Sequence, residues 1–236
     1  MIPKMMKASF FILASLMFCV NAQSATLAGK AAFEGTAPAS EPLKLDADPN
    51  CKLAHPQGMT SDDVIVNANG TLKNVFVYVK EGLPAGKTYD VPKDPALLDQ
   101  KGCQYAPKVQ GIRVNQPLVI LNSDPTLHNV HALPKDNKEF NLGMPVKGMK
   151  LTKTFTKPEV MIKFKCEVHP WMNAYIGVLD HPYFAVTGDD GGYEIKDLPP
   201  GRYVIEAWHQ KYGSKTQTLT VSADGDTVQS DFHLQA

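Results

Sequence analysis

Apolar and polar residues alternate along most of this chain in short bursts, each bounded by Gly, Pro, Asp or Asn. Successive side chains of a strand point to opposite faces, so a period of two marks a half-buried strand. On that basis strands are predicted over residues 26–36, Val64–Asn67, Val75–Lys80, Gly111–Val114 and Leu118–Asn122. Four more are predicted at His128–Leu133, Met149–Phe155, Val160–Cys166 and Ala174–Leu179. Residues 37–62 are rich in Pro, Asp and Ala and predict irregular structure. The stretch 82–103 predicts a long excursion, with Asp94–Gln100 as the one place for a helical turn or two. After Asp180-His181-Pro182 the strands shorten to Tyr193–Ile195, Arg202–His209, Thr216–Val221 and Val228–Leu234, set between the turns TGDDGG, DLPPG and SADGD. Such spacing predicts a second, small β-sandwich. The expected architecture is all-β. Residues 63–180 form one sandwich, 181–236 a smaller one, and the segment 23–62 is free to pack with either.

Composition supports that picture and narrows the function. A chain of 236 residues with 43% hydrophobic content can bury two cores and is not a disordered segment. Its 24 Lys+Arg balance 24 Asp+Glu, and no basic run exceeds two residues. Nucleic-acid binding needs a basic face to meet phosphates, so that class is excluded.

The first residues predict an address. Lys4 and Lys7 precede an apolar run from Ala8 to Val20 that ends in Val20-Asn21-Ala22. This is the pattern of a secretory signal peptide over residues 1–22, the apolar run falling short of the roughly 20 residues that span a bilayer. A periplasmic or secreted protein follows, with no stable membrane insertion after cleavage. Cleavage also removes Cys19 and leaves Cys51, Cys103 and Cys166. In an oxidising compartment two thiols usually pair and the odd one needs another use. The reading preferred here is a Cys51–Cys103 disulfide. The rival is a metal site built on Cys51 and His55, with Cys103 as a further donor.

The odd thiol sits in chemistry-rich company. Strand 160–166 runs into Cys166-Glu167-Val168-His169-Pro170-Trp171-Met172, which puts a thiolate, an imidazole and a thioether on one tight loop. His128 and His131 lie upstream at another strand. Taken singly, a buried Cys, a strand His or a lone Met is ordinary packing. Together they form the two-His, one-Cys, weak-axial-Met donor set of an electron-transfer copper site. Zinc is disfavoured, because Met is a poor zinc ligand. Residues three apart on a strand face opposite ways, so His128 and His131 cannot both turn inward.

Residues 105–179 resemble the cupredoxins, the blue-copper proteins of the amicyanin and plastocyanin type. The likeness is carried by PTLHNVHAL, CEVHPWM and the intervening GMPVKGMKLTKTF. It implies a Greek-key β-sandwich holding one type 1 copper ion through His128, Cys166, His169 and Met172. It further implies that Asn129 ties the two ligand loops together. The function implied is one-electron transfer to a soluble or membrane-associated redox partner protein, not catalysis. Electron exchange is expected at the His169 end, through an apolar patch of Pro170 and Trp171 with Met144 and Pro145. The competing expectation buries Trp171 against the second sandwich. The tail VTGDDGGYEIKDLPPGRYVIEAWH resembles carboxypeptidase regulatory-like β-sandwiches, and LAGKAAFEG resembles the first strand of that family. Two alternative functions stay open: a non-redox protein- or carbohydrate-binding module, and copper storage or delivery.

Overall fold

The structure is a computed structural model and describes residues 23–235. The signal-peptide reading for residues 1–22 lies outside the described residues. The chain is all-β, arranged as two sandwiches. One sheet of the first orders β5 (Val109–Arg113), β11 (Asn173–Leu179), β10 (Glu159–Lys165), β7 (His128–Leu133) and β8 (Phe140–Met144). The other orders β4 (Tyr105–Ala106), β3 (Ala96–Gln100), β6 (Leu118–Asn122) and β9 (Lys150–Lys153). Alternation sends Leu118 and Ile120, Ile162 and Phe164, and Ala174, Ile176 and Val178 into one shared core. Burying these side chains contributes about 1.5–3 kcal/mol each for the larger ones.

The second sandwich pairs β1 (Ala25–Glu34) with β13 (Gly192–Leu198), β16 (Val228–Gln229) and β17 (Phe232–Gln235). Across a core of Leu27, Val77, Ile195, Ile205 and Phe232 lie β12 (Phe184–Val186), β2 (Phe76–Glu81), β14 (Gly201–His209) and β15 (Gly213–Val221). The segment 23–62 divides accordingly. Its opening strand joins the second sandwich, while Leu45 and Cys51 are buried in the first core.

Five local expectations differ from the structure, the first being that Val64–Asn67 forms no strand but only an isolated bridge from Val66 to Leu72. The strand at 76–81, grouped in sequence with residues 63–180, is hydrogen-bonded to β12 and β14 of the second sandwich. Residues 96–100 form a strand, not a helical turn, because each pairs in parallel with a residue of β6. Within the supposedly irregular 37–62, Pro49–Ala54 forms a short helix, α1, capped by Asp48. The expected strand Val228–Leu234 breaks into β16 and β17.

The two sandwiches touch through Phe76, Tyr78, Val109 and Leu179, with Met161, Phe184 and Trp208 around them. Gly111 of β5 lies opposite Gly177 of β11. A Cβ on Gly111 would come within 2.3 Å of the Phe184 ring, and one on Gly177 within 2.6 Å of Phe76. The paired glycines therefore make a flat spot on which both rings rest.

Candidate metal centre

The inward rows of two neighbouring strands end at the same place. On β10 the buried side chains Ile162 and Phe164 are followed, past the strand end, by Cys166; on β7 the inward row Ala132, Val130 begins at His128. The loop after Cys166 folds back on itself: Cys166 N–H donates to Met172 O at 3.1 Å, and Met172 N–H to His169 O at 2.9 Å. These bonds close Cys166–Met172 into a tight loop that brings His169 beside the thiol. His128, Cys166, His169 and Met172 are all at most 2% exposed.

Within this cluster His128 Nδ1 lies 3.0 Å from His169 Nδ1, and Cys166 Sγ 3.8 Å from His169 Nδ1. The three donors lie within 4.8 Å of one another. Metal–ligand bonds of about 2.0–2.3 Å let one ion span such a set. The outer nitrogens are both occupied by carboxylates, which when ionised can only accept. His128 Nε2–H donates to Asp124 Oδ2 at 2.8 Å, and His169 Nε2–H to Asp48 Oδ2 at 3.0 Å. The rings are thereby turned so that both Nδ1 atoms face the thiol.

The charges follow from these contacts. Burial pushes the Cys166 thiol up, but hydrogen bonds from His128, His169 and the Asn129 N–H outweigh it and bring it down to about 6. Burial likewise disfavours the charged form of His128, yet Asp124 and Cys166 raise it to about 9. Asp48, despite partial burial, is lowered to about 2 by Thr126, His169 and the first N–H groups of α1. Without a metal this is a thiolate beside a protonated His128, and an ion that displaced that proton would meet a soft donor set of thiolate and imidazoles.

Asn129 bridges the two ligand segments. Its backbone N–H points at Cys166 Sγ (3.5 Å), and its side-chain oxygen accepts from Glu167 N–H. Tyr105 adds a second tie, its hydroxyl lying 2.6 Å from Asn129 O and 3.1 Å from Lys165 O. His131 turns away and meets Glu139 and Glu167 at the surface, 2.8 and 2.6 Å distant.

Cys51 and Cys103 form a disulfide with Cα atoms 5.6 Å apart, which leaves Cys166 as the free thiol among the described residues. The sulfurs are spent on each other, and His55 Nε2 hydrogen-bonds Gly102 O at 2.7 Å. The disulfide abuts the candidate centre, with Cys51 Sγ 3.5 Å from His169 Nε2. Gly102 and Cys103 both have positive φ, and this turn aims their two N–H groups at the Asp124 carboxylate, each at 2.8 Å.

The expected apolar patch is not formed as drawn from sequence. Met144 is fully buried and His169 lies beneath Asp48 and α1. Trp171 is half-buried, packed on the first core and not on the second sandwich, with its indole N–H donating to Cys103 O at 2.9 Å. Pro170 and Pro145 are exposed as expected, and the large apolar residues exposed next to donors are Leu127 and Val168. Sequence reasoning missed Asp48, Asp124 and Tyr105. Only Asp48 left a signal, the Asp-Pro pair that marks a helix start.

No curated protein is significantly similar to the chain in sequence. Among solved structures it is similar to a Cu-containing nitrite reductase from Thermus scotoductus SA-01, at 23% identity and TM-score 0.34, over 42% of this chain and 25% of that one. The chain thus spans about a quarter of that enzyme's length. It is also similar to a purple cupredoxin from Nitrosopumilus maritimus (21%, TM-score 0.31, 35% of this chain and 98% of that one). An amicyanin mutant in the Cu(I) state gives 20%, TM-score 0.32, and 43% and 97% coverage. No helix among the described residues is long and apolar enough to cross a membrane. The family match begins at His169, ahead of the Asp180–His181 junction and inside the loop and strand of the first sandwich: residues 169–235 match the carboxypeptidase regulatory-like domain.

Proposed function

We propose that this protein is an exported, periplasmic or secreted one-electron carrier in which His128, Cys166, His169 and Met172 would hold a single type 1 copper ion. The observation that carries the proposal is the convergence of two imidazole Nδ1 atoms and a thiolate-prone sulfur in a buried space. Copper, when bound, supplies a one-electron couple. The chain's own part is to hold soft and borderline donors in one arrangement for both oxidation states. Asp124 and Asp48 fix the rings, Asn129 and Tyr105 fix the spacing of the two strands, and the closed Cys166–Met172 loop limits rearrangement. A redox partner protein would approach over Leu127 and Val168, which flank His128 and His169 in sequence. The second sandwich serves as a docking or stabilising unit.

The test is visible absorption of the copper-loaded protein. A strong band near 600 nm (the thiolate-to-copper signature that the cupredoxin resemblance implies) is expected, and Cys166→Ser removes it while far-UV circular dichroism stays that of a β protein. A colourless parent protein, or a band that survives Cys166→Ser, overturns the assignment. A colourless protein that captures a glycan would instead favour a binding module.

A further inference from the structure

Helix α1 has no place in a simple two-sheet sandwich, yet it is held over the candidate centre by three separate devices. Asp48 Oδ1 caps the helix, accepting from Asn50 N–H at 2.8 Å and Cys51 N–H at 3.4 Å. The other carboxylate oxygen, Oδ2, takes the Thr126 hydroxyl at 2.6 Å and His169 Nε2–H at 3.0 Å. One turn along, Cys51 is bonded to Cys103 of the opposite loop. The Asp48 and His169 side chains are 13% and 2% exposed, so the pair is shielded from water.

We infer that Asp48 is a positioning residue for the metal centre, and that the Cys51–Cys103 disulfide is the clamp that keeps it on His169. The inference rests on the copper reading given above. It adds that a helix outside the sandwich sets the tautomer and the electron density of a ligand inside it. A carboxylate on the outer N–H of a metal-bound imidazole fixes the ring and raises its basicity. A nearby fixed negative charge also favours the more highly charged oxidation state, the more so away from water. Asp48 should therefore lower the reduction potential. The disulfide contributes by holding α1 in register, since Asp48 lies three residues before Cys51.

Two substitutions separate capping from positioning. Asp48→Asn keeps the cap oxygen but puts an amide NH2, a donor, where Oδ2 accepted from His169, and removes the charge. Asp48→Ser keeps a helix cap but is too short to hold His169. In metal-free protein, ¹⁵N NMR should show His169 protonated at Nε2 in the parent, with that tautomer lost in both variants, each of which caps α1 but offers no acceptor to His169. In copper-loaded protein both variants should keep the visible band and shift the midpoint potential upward. Cys51→Ala/Cys103→Ala should shift it the same way, and Asp48→Ser added to that background should shift it less than it does in the parent. An unchanged tautomer together with an unchanged potential would show that Asp48 does no more than cap α1. A parent that gives no copper colour sinks the copper reading and the claimed effect on potential with it, while the tautomer result still decides whether Asp48 orients His169.

Discussion

His209 offers a pH experiment outside the candidate centre. It lies on β14, is 2% exposed, and stacks on Tyr212 with ring centroids 4.9 Å apart and planes at 16°. Its Nδ1 accepts the Lys211 N–H at 3.2 Å, which suits the neutral ring. Burial is the main cause that brings this histidine down from 6.5 to about 4, with Lys108 adding to it and Asp63 opposing. The folded-state value is depressed, so below pH 6.5 the unfolded chain binds more protons at this site than the folded one. Stability contributed by neutral His209 is complete above pH 6.5 and is lost as pH falls toward 4. The slope is about 1.4 kcal/mol per pH unit between those values, and the total is about 3 kcal/mol. His181 is lowered by burial and acts in the same direction, whereas His128 is raised and acts in the opposite one, so the parent's profile alone is a mixture. A difference curve isolates His209. His209→Asn keeps an acceptor near Nδ1 without a titrating ring. Urea unfolding of parent and variant at pH 7, 6, 5 and 4 should show the variant less stable at pH 7. That deficit should shrink by about 3 kcal/mol by pH 4. Parallel profiles would mean that His209 is as readily protonated folded as unfolded, and the burial argument would fail.

Three further outcomes are expected. Thiol titration of denatured, metal-free, unreduced protein without its first 22 residues should find one thiol, and Cys51→Ala/Cys103→Ala should cost about 4 kcal/mol for a 52-residue separation; three thiols would contradict the disulfide. Tyr105→Phe, which strips a buried hydroxyl from the Asn129 and Lys165 carbonyls, should destabilise by about 1–3 kcal/mol in urea titrations, and a loss under 0.5 kcal/mol would show that the carbonyls find other partners. Gly111→Ala should cost about 1–3 kcal/mol by pressing on Phe184, with partial recovery when Phe184→Leu is added; no recovery would place the strain elsewhere.

Much of the first sandwich was legible from local pattern, for reasons visible in particular residues. Leu118–Asn122 alternates buried and half-buried positions, and both it and His128–Leu133 appear with the predicted bounds. The Cys166–Met172 loop was legible too, since donors three apart on a tight turn lie close whatever the rest of the chain does. The remainder depended on partners distant in sequence. Residues 96–100 carry no local strand signal strong enough to outweigh a helical reading; parallel pairing with β6 decides them. The chain at 76–81 reads as a strand, but its sheet is set by Phe76 fitting the flat spot made by Gly111 and Gly177, which no periodicity encodes. The same holds at the candidate centre. Residue types at 128, 166, 169 and 172 announced a donor set through their chemistry alone. That Asp124 and Asp48 occupy the outer imidazole nitrogens, and that α1 covers His169, follows from hydrogen bonds and a disulfide between segments up to 121 residues apart. Local sequence determines which way a side chain faces along its own strand; only the closed fold determines what it meets there.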